Sequence, residues 1–147
     1  MSLEMKTKPY KKAVYSYIRE YDSRWGDMDG LRHLNHAIYL TFMETARVDF
    51  YAHIGLPIER WDSDQSSILA SMKVDYFQQV YHPVTLEIGQ RVTRIGNSSF
   101  DILTGVFRKG EDDPVAQSLF TLVSFNYKHN IPEIVPDEIR KWLKPID

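Results

Sequence analysis

An acid, two imidazoles and an amide lie within eight residues of this chain. The stretch reads Asp29-Gly-Leu-Arg-His33-Leu-Asn35-His36 and stands between a strand-like segment and a strongly amphipathic helix. Side chains placed just before a helix N-terminus lie beside free backbone N–H groups and the positive end of the helix dipole. Such a place can stabilise negative charge that develops on a substrate oxygen, so the stretch predicts a catalytic site.

Asp29 is the side chain that we expect to carry the chemistry. A carboxylate can attack a carbonyl carbon as a nucleophile, or it can activate a water molecule as a general base. The sequence leaves both roles open. The structural alternative is a loop acid, because Asp followed by Gly is a common turn pair. Asp27, two residues earlier, is expected to form hydrogen bonds within the loop.

The remaining polar residues of the stretch have supporting roles in this interpretation. Asn35 is the predicted N-cap of the helix, and His36 is expected to act through its backbone N–H rather than through its imidazole. His33 either positions Asp29, lines the pocket or has a structural role. The two histidines stand at i and i+3 with one acid in line and no third ligand at the usual spacing, so no metal site is predicted.

The helix that follows has clear signals at both ends. It is predicted over Ala37–Ile54, and Gly55 with Pro57 provides a stop signal. Its apolar residues recur at the spacing of one helical face. They are Tyr39, Phe42, Met43, Ala46, Phe50 and Ile54. A loop is expected over Glu59–Gln65.

Five strands are predicted, one before the helix and four after it. Alternating side-chain character and turn signals assign them to Val14–Asp22, Ile68–Tyr76, Val84–Val92, Ser99–Arg108 and Val115–Tyr127. The last four are expected to form a meander, and a short helix is expected to begin at Pro136 and end near Leu143. The long helix must bury its apolar face, which predicts an α+β hot-dog fold, a five-stranded antiparallel sheet wrapped around one central helix.

Composition limits the class of protein further. The chain has 147 residues, a net charge of −2 and no cysteine. Its length fits a single domain over residues 1–147, with residues 1–4 set aside as an N-terminal remnant. The charge argues against a nucleic-acid partner, and the lack of cysteine excludes disulfides, thiolate zinc sites and a cysteine nucleophile. We find no apolar run long enough to span a membrane and no signal-peptide segment, so a cytoplasmic location is expected.

These motifs resemble those of hot-dog thioesterases of the 4-hydroxybenzoyl-CoA thioesterase-like family. The matching segments are Gly26-Asp27-Met28-Asp29, His33-Leu34-Asn35-His36-Ala37, Tyr39-Leu40, Glu44-Thr45-Ala46-Arg47 and the hairpin Val92–Phe100. His36 is a departure, since many relatives carry a second Asn there. The resemblance implies hydrolysis of acyl-CoA thioesters without a metal or cofactor, coenzyme A being part of the substrate.

The resemblance also implies residue roles and an assembly. Asp29, four residues before His33, corresponds to the catalytic acid, and a backbone N–H near His36 corresponds to the oxyanion hole. Relatives assemble as dimers and often as dimers of dimers, so a homodimer or homotetramer is implied. Their active site lies between two protomers.

Further residues are expected to contact the substrate. Phosphates of coenzyme A need cations near the cleft mouth, and the candidates are Arg91, Arg94, Arg108 and Lys109. Ser98 and Ser99 are candidate phosphate or pantetheine contacts. The acyl pocket is expected to be lined by Tyr39, Phe42 and Met43, with Tyr76 or Phe77 across the interface.

Three alternatives remain open. Gly26–His33 echoes the Gly-Asp-x-Asn-Pro-x-His motif of hot-dog hydratases and dehydratases, but it has one extra residue, Asp in place of Asn, and no Pro. A non-catalytic acyl-binding protein could use the same scaffold. Glu44 could supply a helical catalytic acid, as in a related branch, or it could pair with Arg47.

Overall fold

A single antiparallel sheet curls around one long helix. The computed structural model describes residues 8–56 and 65–146. The elements are β1 Tyr17–Asp22, α1 His36–His53, β2 Gln65–Tyr76, β3 Thr85–Ile95, β4 Ser99–Arg108, β5 Ala116–Asn126, β6 Ile131–Pro132 and α2 Asp137–Arg140. The five predicted strands are present, and the two-residue strand β6 was not predicted. Residues 1–4, Pro57 and positions 59–64 of the predicted loop lie outside the described residues.

The strand order corrects the predicted meander. Across the sheet the order is β1-β3-β4-β5-β2, with β6 beside β5, so β2 pairs with β5 and not with β3. The connection 77–84 therefore runs from β2, at one edge of the sheet, past β5 and β4 to the interior strand β3. It passes the start of α1, where the Leu34 N–H donates to the Val80 carbonyl at 2.8 Å. Sequence neighbours need not pair when the connection between them is long enough to cross.

Helix α1 begins and ends within one residue of its predicted bounds. Asn35 Oδ1 accepts a hydrogen bond from the Ala37 N–H at 3.0 Å, which satisfies one of the free donors of the first turn. Gly55 follows the helix with φ of +101°, a conformation that glycine adopts without strain. All six residues of the predicted apolar face are buried.

Arg47 is also buried beside that face, which the apolar pattern did not indicate. Its guanidinium lies 4.8 Å from the centre of the Phe120 ring, a cation–π contact. Within residues 8–56 and 65–146 it forms no ion pair with Glu44, which is exposed.

The first predicted strand is shorter than expected because Tyr15 covers the outer face of the sheet. Lys12–Val14 forms a 3-10 turn, and β1 begins only at Tyr17. The Tyr15 ring lies over Gly89 and Gly105, where a Cβ atom would come within 2.5 Å of it. Only glycine permits this close approach, so the two glycines set the position of the N-terminal segment.

The two ends of the sheet have different surroundings. Asp22 pairs with Thr85, and Tyr76 pairs with Ala116, at the end that carries the start of α1. The turn between β3 and β4 lies at the opposite end, beside α2. Helix α2 is shorter than predicted, since it ends at Arg140 rather than near Leu143.

Candidate active site

Asp29 is held in a tight turn by its own backbone and side chain. Its N–H donates to the His33 carbonyl at 2.7 Å, and its carbonyl accepts from the Arg32 N–H at 3.2 Å. Its Oδ1 accepts from the N–H groups of Leu31 and His33, at 2.8 and 3.1 Å. Backbone donors thus fix one carboxylate oxygen, while the side chain stays exposed. Oδ2 forms no hydrogen bond within the described part of the chain, so it can meet water or substrate.

The crossing segment 77–84 supports this turn from the other side. The His82 N–H donates to the Arg32 carbonyl at 3.3 Å, and the rings of His33 and Tyr81 lie 4.7 Å apart. His82 Nδ1 lies 2.6 Å from the Ser23 hydroxyl, which in turn accepts from a backbone N–H at 2.9 Å. The turn is therefore anchored to the end of the sheet.

The start of α1 forms the facing wall. The Tyr76 hydroxyl donates to the His36 carbonyl at 2.9 Å, and the two rings lie 4.9 Å apart. Asn35 caps the helix, as predicted. Among the residues that the structure describes, the His36 N–H has no acceptor, which leaves a helix N-terminal donor available.

A cleft of about 420 Å³ lies between the Asp29 turn and the start of α1. Its lining consists of Asp29, Leu31, His33, Leu34, His36, Tyr39, Tyr76, Phe77, Gln78 and Gln79. Burial raises the pKa of Tyr39 and of Tyr76 further above neutrality, so both phenols keep their protons at pH 7 and can act as hydrogen-bond donors. The cleft therefore combines an oriented carboxylate, a helix-start N–H and an aromatic wall.

Three predicted substrate contacts lie elsewhere in the chain. Arg94 forms a two-pronged ion pair with Asp101, at 2.9 and 3.0 Å, and donates to the Ser99 hydroxyl at 3.1 Å. Ser98 stands in the β3–β4 turn, where its carbonyl accepts a hydrogen bond from a neighbouring strand. These residues occupy the opposite end of the sheet from Asp29 and do not line its cleft.

The other predicted cations also have partners within the chain. Arg91 donates to the carbonyls of residues 14, 144 and 145, so it ties the two terminal segments together. Lys109 lies 2.9 Å from a Glu20 oxygen. Arg108 donates to Gln78 Oε1 and to the Gln79 carbonyl, and thereby supports one wall of the cleft.

Asp27 is a structural acid, and its predicted role in loop hydrogen bonding is confirmed. Its carboxylate is 1% exposed and accepts hydrogen bonds from the backbone and side chain of Arg24. Burial alone would raise the pKa of Asp27, but the Arg24 hydrogen bonds outweigh it and hold the pKa below the usual range. The Asp27 carbonyl also accepts from the Asn35 N–H at 3.0 Å.

Sequence reasoning missed most of the crossing segment. Gln78, Gln79 and Leu31 line the cleft, and His82 supports the turn beneath it. None of them belongs to a periodic pattern. Only the strand order reveals that residues 77–84 pass the start of α1. Residues 8–56 and 65–146 hold no cluster of three metal-ligating side chains and no helix able to cross a membrane.

The fold and the cleft define a class of protein, and comparison with known families agrees. Residues 23–143 match the thioesterase-like superfamily, so the chain belongs to that superfamily. No curated protein matches it. The predicted hot-dog thioesterase family and fold are confirmed by this match and by the solved structures that resemble the chain.

Three solved structures illustrate the likeness. The PA5185 protein from Pseudomonas aeruginosa is 28% identical with a TM-score of 0.84, over 92% of this chain and 94% of its own. PA2801, a putative thioesterase from the same organism, is 25% identical with a TM-score of 0.79, over 86% and 97%. A Thermus thermophilus thioesterase complexed with coenzyme A and zinc is 27% identical with a TM-score of 0.74, over 87% and 97%. The family and these relatives support a thioester hydrolase activity.

Proposed function

We propose that this protein is an acyl-CoA thioesterase, which hydrolyses an acyl-CoA to a carboxylic acid and free coenzyme A. The observation that carries the proposal is the placement of Asp29. Its Oδ1 is fixed by two backbone N–H groups, on the wall of a cleft that also contains the first residue of α1. The Thermus relative was crystallised with coenzyme A, which supports that carrier for this chain.

Asp29 acts on the thioester carbonyl carbon in one of two ways. It attacks the carbon directly, which expels the coenzyme A thiolate and leaves a mixed anhydride for water to cleave. Alternatively, it removes a proton from a water molecule that attacks the same carbon. In both cases negative charge develops on the carbonyl oxygen. The His36 N–H at the start of α1, which has no acceptor among the described residues, would stabilise that charge by donating a hydrogen bond to the oxygen.

The two rival functions are less well supported by the site. Here Asp27 is enclosed and bound to Arg24, which leaves Asp29 as the acid of the cleft. A non-catalytic binding protein would have no need of an oriented carboxylate beside a helix N-terminus. An Asp29 buried in a salt bridge would favour the binding protein. Within the described part of the chain Asp29 forms no salt bridge, and its side chain is exposed.

The proposal includes a homodimer formed across β2. This strand ends the order of the sheet, so its outer edge carries unpaired backbone groups. Four large apolar side chains on it are between 36% and 46% exposed, namely Ile68, Leu69, Met72 and Tyr76. A second copy paired antiparallel along β2 would cover them. It would also bring the β3–β4 turn of one copy, with Arg94, Ser98 and Ser99, towards the Asp29 end of the other.

The test is a thiol-release assay with short, long and aromatic acyl-CoAs, run beside a hydration assay with an enoyl-CoA. Thiol release with no loss of the enoyl double bond would support the thioesterase. Hydration without thiol release would favour the hydratase, and tight acyl-CoA binding with neither reaction would favour the binding protein. A cytoplasmic location stays a prediction.

A further inference from the structure

Within residues 8–56 and 65–146, the Arg32 side chain has no partner. The other arginines in the described ranges each hold a carboxylate, a carbonyl or a ring. They are Arg19, Arg24, Arg47, Arg91, Arg94, Arg108 and Arg140. Arg32, within those same ranges, forms no side-chain hydrogen bond, ion pair or ring contact, and it is exposed. The cations expected to meet phosphate are thus engaged elsewhere, while this one is available.

The backbone of Arg32 is strained in a way that glycine would relieve. Its φ is +70°, in the left-handed region that side chains other than Asn and Asp rarely adopt. Its N–H donates to the Asp29 carbonyl and its own carbonyl accepts from the His82 N–H, so the turn imposes this conformation. Strained residues are concentrated at functional sites, so the conformation of Arg32 suggests a functional role for its side chain.

The position of Arg32 links it to the cleft. Its neighbours Leu31 and His33 both line the cleft, and Asp29 is three residues away in the same turn. Arg32 itself is outside the lining set, so it adjoins the cleft through its two chain neighbours and not through contact with the reacting carbon. A substrate seated at Asp29 that continues out of the cleft would pass near it.

We propose that Arg32 binds a phosphate group of the coenzyme A portion of the substrate. The inference rests on the proposed function, because it assumes that coenzyme A occupies the cleft. A guanidinium forms paired, charge-assisted hydrogen bonds to phosphate oxygens, which accounts for an arginine at a position that favours glycine. The pantetheine arm is uncharged, so within coenzyme A the guanidinium pairs with the nucleotide end alone.

The experiment compares the equilibrium binding of coenzyme A and of pantetheine, which lacks the nucleotide phosphates. Arg32→Gly is expected to bind coenzyme A about tenfold more weakly, with a smaller dependence on salt, and to bind pantetheine within twofold of wild type. Arg32→Lys keeps a charge and is expected to lose less than Arg32→Gly. The melting temperature of Arg32→Gly is expected to match or exceed that of wild type, since the strain is removed.

Two control variants test whether relief of strain, or loss of a positive charge, has the same effect at another position in the chain. Asn130, with φ of +58°, lies in the turn after β5 at the opposite end of the sheet, and Asn130→Gly relieves similar strain there. Lys144→Ala removes an exposed positive charge beside β3, away from the open edge of β2. Both are expected to bind coenzyme A as wild type does.

The proposal fails if Arg32→Gly binds coenzyme A as tightly as wild type, or if it loses affinity equally for coenzyme A and pantetheine. Equal loss would mean that Arg32 acts through the shape of the turn. If wild type releases thiol from acyl-CoA while either result is found, the Arg32 assignment alone is wrong. If wild type neither binds coenzyme A nor releases thiol, the proposed function is wrong as well.

Discussion

Asp29 and His33 are joined by two reciprocal hydrogen bonds. The Asp29 N–H donates to the His33 carbonyl at 2.7 Å, and the His33 N–H donates to Asp29 Oδ1 at 3.1 Å. The carboxylate is therefore oriented by backbone groups of its own turn, and no side chain among the described residues supports it. His33 contributes to the site chiefly through its main chain, while its ring packs on Tyr81.

Tyr76→Phe tests whether β2 positions the start of α1. Loss of the hydroxyl removes the 2.9 Å hydrogen bond to the His36 carbonyl, and we expect a loss of about 0.5–1.5 kcal/mol in the free energy of unfolding. We also expect a several-fold lower kcat, because the helix-start N–H groups are less well fixed. Tyr127→Phe is the matched control, since that hydroxyl is exposed and its contact is 3.5 Å. Equal effects of the two substitutions would contradict this role.

Asp27→Asn is expected to change how stability depends on pH. The pKa of Asp27 is lower in the folded state than in the unfolded chain, so its carboxylate stabilises the fold above the usual aspartate pKa of about 3.9. That contribution is lost as the pH falls through the folded pKa. The variant should be about 1–3 kcal/mol less stable at pH 7, and the difference should shrink below about pH 4. Denaturant titrations at several pH values measure it, and a difference independent of pH would refute the assignment.

Gly105→Ala tests the packing of Tyr15 on the outer face. The new Cβ would lie 2.5 Å from the Tyr15 hydroxyl oxygen, so the ring must move, and we expect a loss of about 1–3 kcal/mol. Gly26→Ala, whose Cβ meets nothing within 4 Å, is the control. In a Tyr15→Ala background the cost of Gly105→Ala should largely disappear, as a double-mutant cycle would show. Simple additivity would contradict the proposed contact.

Whether a feature could be predicted from the sequence depends on how far apart in the chain the interacting residues are. The extent of α1 could be predicted because Asn35, Gly55 and the apolar face are local signals. The position of Asp29 could be predicted for the same reason, since its turn closes within five residues. These interactions join near neighbours in the chain, where side-chain type and spacing carry the information.

Long-range pairing could not be predicted in the same way. The meander was a natural expectation, but β2 finds its partner in β5, and no single-strand pattern encodes that choice. The distance of Arg94 and Ser99 from the Asp29 cleft could not be predicted for the same reason. It depends on which end of the sheet carries the β3–β4 turn. The hydrogen bonds from Arg91, a candidate phosphate contact, to carbonyls of the two terminal segments could not be predicted either, because they join residues far apart in the chain.

Met72→Lys tests the proposed homodimer. Met72 is 46% exposed on the open strand β2, and a charge there would be buried against the second copy. We expect the variant to elute and sediment as a monomer at concentrations where wild type is dimeric, and to lose activity in parallel. Leu143→Lys, at a side chain 41% exposed beside β3 and not at the open strand, should remain dimeric. A monomeric wild type, or a dimeric Met72→Lys, would overturn the interface.

The most direct measurement is the rate of thiol release from acyl-CoA by Asp29→Asn. The amide oxygen can still accept the bonds from Leu31 and His33, so the fold should keep its melting temperature within about 2 °C. Without the carboxylate, kcat should fall by about 10²–10⁴-fold, the usual scale for losing an acid–base or nucleophilic group. Glu44→Gln, at the exposed helical acid, should keep wild-type turnover. Unchanged thiol release by Asp29→Asn, or loss of activity in Glu44→Gln alone, would contradict the account.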